Sequence, residues 1–304
     1  MARVESKAIR PTVFIKGLAM GAADVVPGVS GGTVAFITGI YEELIDSLCQ
    51  VNVAALKLLL AGRIGQCWQA INGTFLATLF AGILVSVFSL AKLISWVLTH
   101  HPKIIWAYFF GLILFSVFML TRQARVFSRY NFIFFLAGAG FAYALTEVTQ
   151  MAISPSITFV FISGAIAISA MILPGISGSF ILVILGMYQY IIEAVKLIDL
   201  PILAVFSLGC MTGLLSFTHL LSWLLHRFRE ATFAVLIGFM LGSLNKVWPW
   251  KVLSDSRAEI NVMPAEYQAL TLSDPQISSV LTALVMGILT VYLIDRVSND
   301  QPTK

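Results

Sequence analysis

Apolar residues run through this chain in blocks of about twenty, and the charges fall almost wholly between the blocks. Apolar runs occupy residues 74–99, 103–121, 131–149, 202–225, 231–247 and 277–295. Each is near the roughly 20 residues that a helix needs to cross the hydrocarbon core of a bilayer. The pattern therefore predicts six transmembrane helices. Residues 11–48 and 158–196 are also apolar but are interrupted. The first carries Pro27-Gly28-Val29-Ser30-Gly31-Gly32 and the second Pro174-Gly175-Ile176-Ser177-Gly178-Ser179. Proline removes a backbone donor and clashes with the preceding turn, so each stretch is expected to fold as two helical arms around a break. Pro27, Gly28, Pro174 and Gly175 are the expected helix breakers. Paired Pro/Gly-interrupted segments at matching positions point to a transporter binding site.

The two halves superpose as sequences. At an offset of 147, Phe14 and Gly17 meet Phe161 and Gly164, and the two Pro-Gly motifs align. Gly39 and Tyr41 meet Gly186 and Tyr188 at the same offset. Beyond an extra loop near residues 50–70 the offset becomes 127: Gly82 meets Gly209, Ser95-Trp96 meets Ser222-Trp223, and Gly111 meets Gly238. The expected organisation is two repeats, residues 1–150 and 151–304, each with one hairpin and three spans.

Length decides how deep the breaks lie. From Ser30 to Tyr41 is eleven residues, or about 16 Å of helix. That is half of a roughly 30 Å hydrocarbon core. Each hairpin is thus expected to be re-entrant, with its tip near the midplane and Tyr41 or Tyr188 at the interface, where aromatic rings collect. An odd number of crossings per half inverts the second repeat, so the tips approach from opposite faces. With both termini in the cytoplasm, the inner face receives Arg3, Lys7, Arg10, Lys16, Lys57, Arg63, Arg122, Arg125, Arg129, Arg227, Arg229, Arg296 and Lys304. The outer face receives Lys103, Lys196, Lys246, Lys251 and Arg257. Thirteen against five follows the positive-inside rule.

Composition narrows the function classes. The 304-residue chain is 59% hydrophobic and 11% charged, against roughly 25% charged in soluble domains. This is an all-α polytopic membrane protein, and little charge is left for a soluble domain. The net charge of +4 comes from short loops between apolar runs, so it reads as a topology signal and not as a nucleic-acid surface. Cys49, Cys67 and Cys210 have no metal spacing, and the four histidines form no metal motif. No metal, cofactor or nucleic-acid partner is expected. The basic and apolar N-terminal stretch has the outline of a signal peptide, but Lys16 interrupts it and its like recurs at residues 158–173. It is read as mature structure.

The breaks can do chemistry. In lipid, unpaired backbone groups are tolerated only when buried in protein or lining a polar cavity. The arm after Ser30 is expected to offer the N–H groups of Gly31, Gly32 and Thr33, and the arm after Ser177 those of Gly178 and Ser179. Glycine lets a ligand approach the backbone, and helix starts are electropositive and bind phosphate or carboxylate. The plainer alternative is a tight turn with a serine cap. Lys92, inside the span 74–99 and aligned with His219, either balances an anionic head group or snorkels to the interface. A lysine at depth costs about 2.5–3.5 kcal/mol on insertion. Asp24, aligned with Met171, is either a hydrogen-bond acceptor for the break or an ion-coupling group, and Glu147 is a second coupling candidate. Glu42 and Glu43 are expected at the interface, Asp46 and Glu193 in solvent, and Trp248-Pro249-Trp250 as an interfacial anchor.

The run Lys16-Gly17 through Met20-Gly21-Ala22-Ala23-Asp24-Val25-Val26-Pro27-Gly28-Val29-Ser30-Gly31-Gly32-Thr33, then Gly39-Ile40-Tyr41-Glu42, resembles the first signature of the bacterial polyprenyl-phosphate transporter family. That PopT-like group was long known as a domain of unknown function. Met171-Ile172-Leu173-Pro174-Gly175-Ile176-Ser177-Gly178-Ser179-Phe180, then Gly186-Met187-Tyr188, resembles its second signature. The resemblance covers nearly the whole chain. It implies translocation of undecaprenyl phosphate, the lipid carrier of cell-wall synthesis, from the outer to the inner leaflet of a bacterial plasma membrane.

A phosphate moving inward against an inside-negative potential costs about 2.3 kcal/mol per charge per 100 mV. A co-transported proton or sodium ion is therefore expected, with Asp24 or Glu147 as its carrier. The prenyl tail can stay in lipid. Three rivals remain: a transporter or channel for a small soluble anion, a lipid phosphatase, and a scaffold. The phosphatase lacks a nucleophile or metal with a paired acid and base near either tip, so no enzyme is expected.

Overall fold

The helices begin where the local chemistry starts them. In a computed structural model, which describes residues 10–26, 28–124, 126, 128–150, 155–253 and 259–299, the first broken stretch forms α1 (Pro11–Asp24), α2 (Gly31–Ile37) and α3 (Tyr41–Cys49). Proline opens α1, where its missing N–H costs nothing. Two short helices, α4 (Val53–Leu60) and α5 (Ile64–Ala70), follow, and Asn52 caps α4 by accepting from Ala54 and Ala55. The long helices α6 (Gly73–His100), α7 (Pro102–Gln123) and α8 (Arg129–Glu147) complete the first half. The second broken stretch forms α9 (Ile157–Ile172), α10 (Gly178–Ile184) and α11 (Tyr188–Leu197). Ser156 caps α9 through the Phe159 N–H. After α12 (Leu200–Arg227) and α13 (Arg229–Ser243), a 3-10 turn over Leu244–Val247 leads into an antiparallel hairpin, β1 (Lys251–Leu253) with β2 (Glu259–Asn261). The helices α14 (Pro264–Thr271) and α15 (Ile277–Asn299) end the described chain.

Among the described residues, five helices are long and apolar enough to cross a membrane: Gly73–His100, Pro102–Arg122, Leu200–Arg227, Arg229–Val247 and Ile277–Arg296. The expected span at 131–149 is present as α8 but is less apolar, because Arg129, Asn131 and Glu147 stand at its ends. The pair Gly178–Ile184 and Tyr188–Leu197 is apolar enough only when joined, and it bends by 110°.

That bend changes one expectation. The arm after each tip is not one helix but two. Gly39 and Gly186 take φ of 72° and 70° between them, as Gly28 and Gly175 take 82° and 83° at the tips. Such backbone favours a residue without Cβ. The aligned glycines thus break the chain twice in each half. Pro27 lies outside the described residues, whereas Pro174 is buried beside Gly175.

The chain forms two compact units, each drawn from both halves. One comprises Met1–Lys92 with Gln150–Arg229, and the other Leu93–Thr149 with Glu230–Lys304. The first holds both broken stretches. Within it α1 crosses α6 where a Cβ on Gly82 would collide with the Phe14 carbonyl, and α9 crosses α12 where a Cβ on Gly209 would collide with the Phe161 carbonyl. In the second unit α7 pairs with α15 at Gly111 and Gly287, and α8 with α13 at Gly138, Gly238 and Gly242. Small residues let helix backbones approach, which is how helices bind one another where solvent gives no hydrophobic drive.

Candidate functional site

Both tips lie in the first unit and touch. Thr33 Oγ1 accepts the N–H of Gly175 at 2.8 Å. Ser30 Oγ donates to the Met171 carbonyl at 2.9 Å, and Tyr41 OH donates to the Ile172 carbonyl at 3.2 Å. Gly32 lies so near the second tip that a Cβ there would stand 2.5 Å from the Ile172 oxygen. These bonds satisfy backbone groups that the breaks free, away from water. Ser30, Thr33 and Tyr41 are almost wholly buried. Tyr41 therefore faces protein and not the expected interface, while Tyr188 is half-buried.

The two tips are unlike. At the first, Asp24 Oδ1 accepts the Gly31 N–H at 2.6 Å. Gly32 donates to Ser30 Oγ at 3.1 Å and Thr33 to the Ser30 carbonyl at 2.9 Å. All three N–H groups read as open in the sequence are occupied here. At the second tip Met171 stands where the alignment has Asp24, and Ser177 Oγ shares a hydrogen with Ser179 Oγ at 2.9 Å. Among the described residues no acceptor faces the N–H of Gly178 or Ser179. The first tip thus supplies its own anion, and the second pairs two hydroxyls beside a bare helix start. A carboxylate and a phosphate oxygen are interchangeable at such a position.

Around the tips, Lys16 Nζ donates to the Thr38 carbonyl at 2.7 Å, holding α1 against the end of α2. Ser86 on α6 is fully buried beside Gly21, and its hydroxyl has no partner among the described residues. The acidic face of α3, expected at the interface or in solvent, is paired. Glu43 meets Arg10 at 2.6 Å, Glu42 meets Arg229 at 2.8 Å, and Asp46 accepts from Ser222 at 2.9 Å. Lys92 is exposed on α6.

Glu147 lies in the second unit and is not brought to the tips' own unit. Its Oε1 accepts from Asn245 Nδ2 at 2.7 Å. Both line a cavity of about 220 Å³ with Lys246, Lys251, Glu259 and Asn261. Burial pushes the Lys251 ammonium down to about 8 against the pull of Glu259. Burial raises Glu259, but the nearby Lys251 and Lys246 outweigh it and hold the carboxyl below its usual range. In the sequence this segment reads as a tryptophan anchor with Lys246 and Lys251 among the outer-face charges, and its cluster with Glu147 and Glu259 does not show. Its signal was the pair of lysines flanking Trp248-Pro249-Trp250.

The family model described as undecaprenyl phosphate translocase-like matches residues 20–263, which include both tips. A protein of Vibrio cholerae serotype O1 named polyprenyl-phosphate transporter is 50% identical over 293 residues, covering 93% of this chain and 94% of that protein. A Staphylococcus aureus protein of the same name is 33% identical over 255 residues, covering 78% of this chain and 85% of that one. No solved structure matches the chain.

Proposed function

This chain belongs to the undecaprenyl phosphate translocase-like family, and from that premise we propose that it carries undecaprenyl phosphate from the outer to the inner leaflet of a bacterial plasma membrane, coupled to a cation. The relatives' shared name supports a polyprenyl-phosphate cargo. The observation that carries the reading is the contact of two unlike tips, one filled by Asp24 and one lacking any carboxylate. Ser177, Gly178 and Ser179 offer the phosphate its first donors. The Gly31 N–H becomes a donor when Asp24 lets go, and the Ser30 hydroxyl, Gly32 and Thr33 join it once their own bonds to Met171 and to Ser30 open. A proton or sodium ion on Asp24 removes the rival charge, and that exchange is the coupling step. Glu147, in the other unit, is the less direct carrier. Lys92 balances the head group from the lipid-facing side of α6.

The wider architecture in this proposal is a pair of inverted repeats, residues 1–150 and 151–304, with both termini cytoplasmic. The matching φ values at Gly28 and Gly175, and at Gly39 and Gly186, support the duplication. So does the use of Gly82 and its aligned Gly209 for equivalent helix crossings. The prenyl tail stays in lipid, so the protein handles only the head.

The test uses the full chain in liposomes loaded with labelled undecaprenyl phosphate. Inward movement should be saturable, slowed by short-chain prenyl phosphate and indifferent to equal inorganic phosphate. Equal competition by inorganic phosphate would instead favour a small-anion transporter. Movement unchanged after both the proton and sodium gradients are collapsed would remove the coupling step.

A further inference from the structure

Ser116, Ser163 and Ser243 are buried in helices, and each donates to a carbonyl three or four residues back in its own helix. Ser86 is just as buried in α6 but makes no such bond, nor any other among the described residues. The preceding turn offers an acceptor that helical serines commonly take, so this hydroxyl is turned toward something else. A buried hydroxyl without a partner is costly, because it has given up water and gained nothing.

Helix register brings Ser86 to Asp24. A Cβ on Gly17 would meet Leu79 and Gly82, and a Cβ on Gly21 would stand 2.9 Å from the Ser86 Cβ. The partner numbers rise together, so α1 and α6 run parallel. From Gly17 to Leu79 is 62 places and from Gly21 to Ser86 is 65. The same spacing carries Asp24, one turn past Gly21, to the level of residues 86–89. Gly17, Gly21 and Asp24 also recur at i, i+4 and i+7, which is one face of a helix. A carboxylate and a hydroxyl therefore share one level of one crossing, too far apart for a direct hydrogen bond.

The charge at this level is negative. Asp24 stands in the last turn of α1, which holds no basic residue, and a helix end is electronegative and favours a cation. No ammonium or guanidinium pairs with Asp24 among the described residues. The aligned second half drops both polar groups together. Met171 replaces Asp24 and Gly213 replaces Ser86, yet α9 still crosses α12 there, with Gly213 against Ala165. Packing at such a crossing thus requires neither group.

We infer that Asp24 and Ser86 are two ligands of one cation site, which takes a monovalent ion of sodium's size between the carboxylate and the hydroxyl. Hard cations are held by oxygen ligands, and the end of a broken helix adds carbonyls that the helix leaves unpaired. One carboxylate balances one positive charge, so a divalent ion would leave a buried charge uncompensated, which is costly. A proton would sit on the carboxylate alone, whereas an ion spans both oxygens and gives Ser86 its partner. The inference rests on the cation coupling proposed above and adds the ion's identity and a second ligand.

The test is equilibrium binding of radiolabelled sodium to the full chain in nanodiscs, with thermal midpoints in sodium and in choline. Wild type should bind sodium saturably, and potassium should compete poorly. Ser86→Ala should weaken sodium binding at least ten-fold, and Asp24→Asn should abolish it. In choline, Ser86→Ala should melt no lower than wild type, because it deletes a hydroxyl that has no partner. Sodium should raise the wild-type midpoint and leave that of Ser86→Ala where it was. Equal sodium affinity in wild type and Ser86→Ala would overturn the inference and make Ser86 a packing residue. No sodium binding by wild type, with lipid movement in liposomes driven by a proton gradient, would overturn the sodium site and leave the transport reading standing. Sodium binding that needs Ser86, with lipid movement indifferent to a sodium gradient, would uphold the site and remove the coupling step. Neither sodium binding nor lipid movement would overturn both.

Discussion

The backbone N–H of Gly31 donates to the Asp24 carboxylate at 2.6 Å, across the break that separates α1 from α2. A Cβ on Gly31 would stand 2.5 Å from that carboxylate, so glycine is what permits the contact. Charge-assisted bonds of this kind contribute about 1.5–3 kcal/mol. Asp24→Asn keeps the shape and removes the charge. It should tighten binding of short-chain prenyl phosphate about ten-fold while abolishing the dependence of transport on an ion gradient. Unchanged affinity with gradient dependence intact would remove Asp24 from the coupling.

The second tip should carry the larger share of head-group binding. Ser177→Ala combined with Ser179→Ala removes two hydroxyls, each worth about 1.5–3 kcal/mol against a charged group. Affinity measured by titration should fall by ten-fold or more with the fold intact by circular dichroism. Ser30→Ala should also weaken binding, through loss of the Met171 contact that holds the tips together. Normal transport by all these variants would make both tips structural turns.

Thr33 is expected to matter for stability through one bond. Thr33→Val keeps the shape and leaves the buried Gly175 N–H without its acceptor, a loss of about 1–3 kcal/mol. The thermal midpoint should drop, and Thr33→Ser should restore it. Equal midpoints for all three would show the bond to be dispensable.

Helix crossings give a sharp contrast between glycines. Gly209→Leu drives a side chain into the Phe161 carbonyl, and overpacking costs about 1–3 kcal/mol or more. Gly140, inside α8 with open space about it, should accept alanine with a gain of up to about 1 kcal/mol in helix propensity. Expression and thermal midpoint of the two variants read the difference.

The hairpin β1–β2 should respond to pH with a fixed sign. Lys251 titrates near 8 in the fold and near 10.5 in the unfolded chain. Between these values the unfolded chain binds the extra proton, so stability rises with pH across that window. Below about 8 the cost of the buried ammonium is fully present. Glu259 is held below its ordinary 4.5, so its contribution is present above that value and is lost as pH falls through its folded value. Protease resistance of the hairpin should follow both arms. Lys251→Met should flatten the alkaline arm, and a wild-type profile that falls between pH 8 and 10.5 would contradict the assignment.

Much of this protein was legible in one dimension. Each expected apolar run became a helix, because about twenty apolar residues can satisfy their backbone in lipid only by coiling. The aligned Pro-Gly motifs became aligned breaks, because Gly28 and Gly175 adopt a backbone that side chains resist. A lone glycine does not always end a helix, so Gly39 and Gly186 do not by themselves predict the second breaks, although their alignment is visible. What lay beyond reach was partnership. That Thr33 meets Gly175, that Tyr41 turns inward to Ile172, and that Asp24 fills its own helix start all join residues by packing, and hydrogen bonds across 131 or 142 positions leave no periodic trace. The chain's order of apolar and polar residues decides where it must cross, break and turn. Only the folded backbone decides which freed groups find each other, because those bonds depend on distance in space and not on distance along the chain.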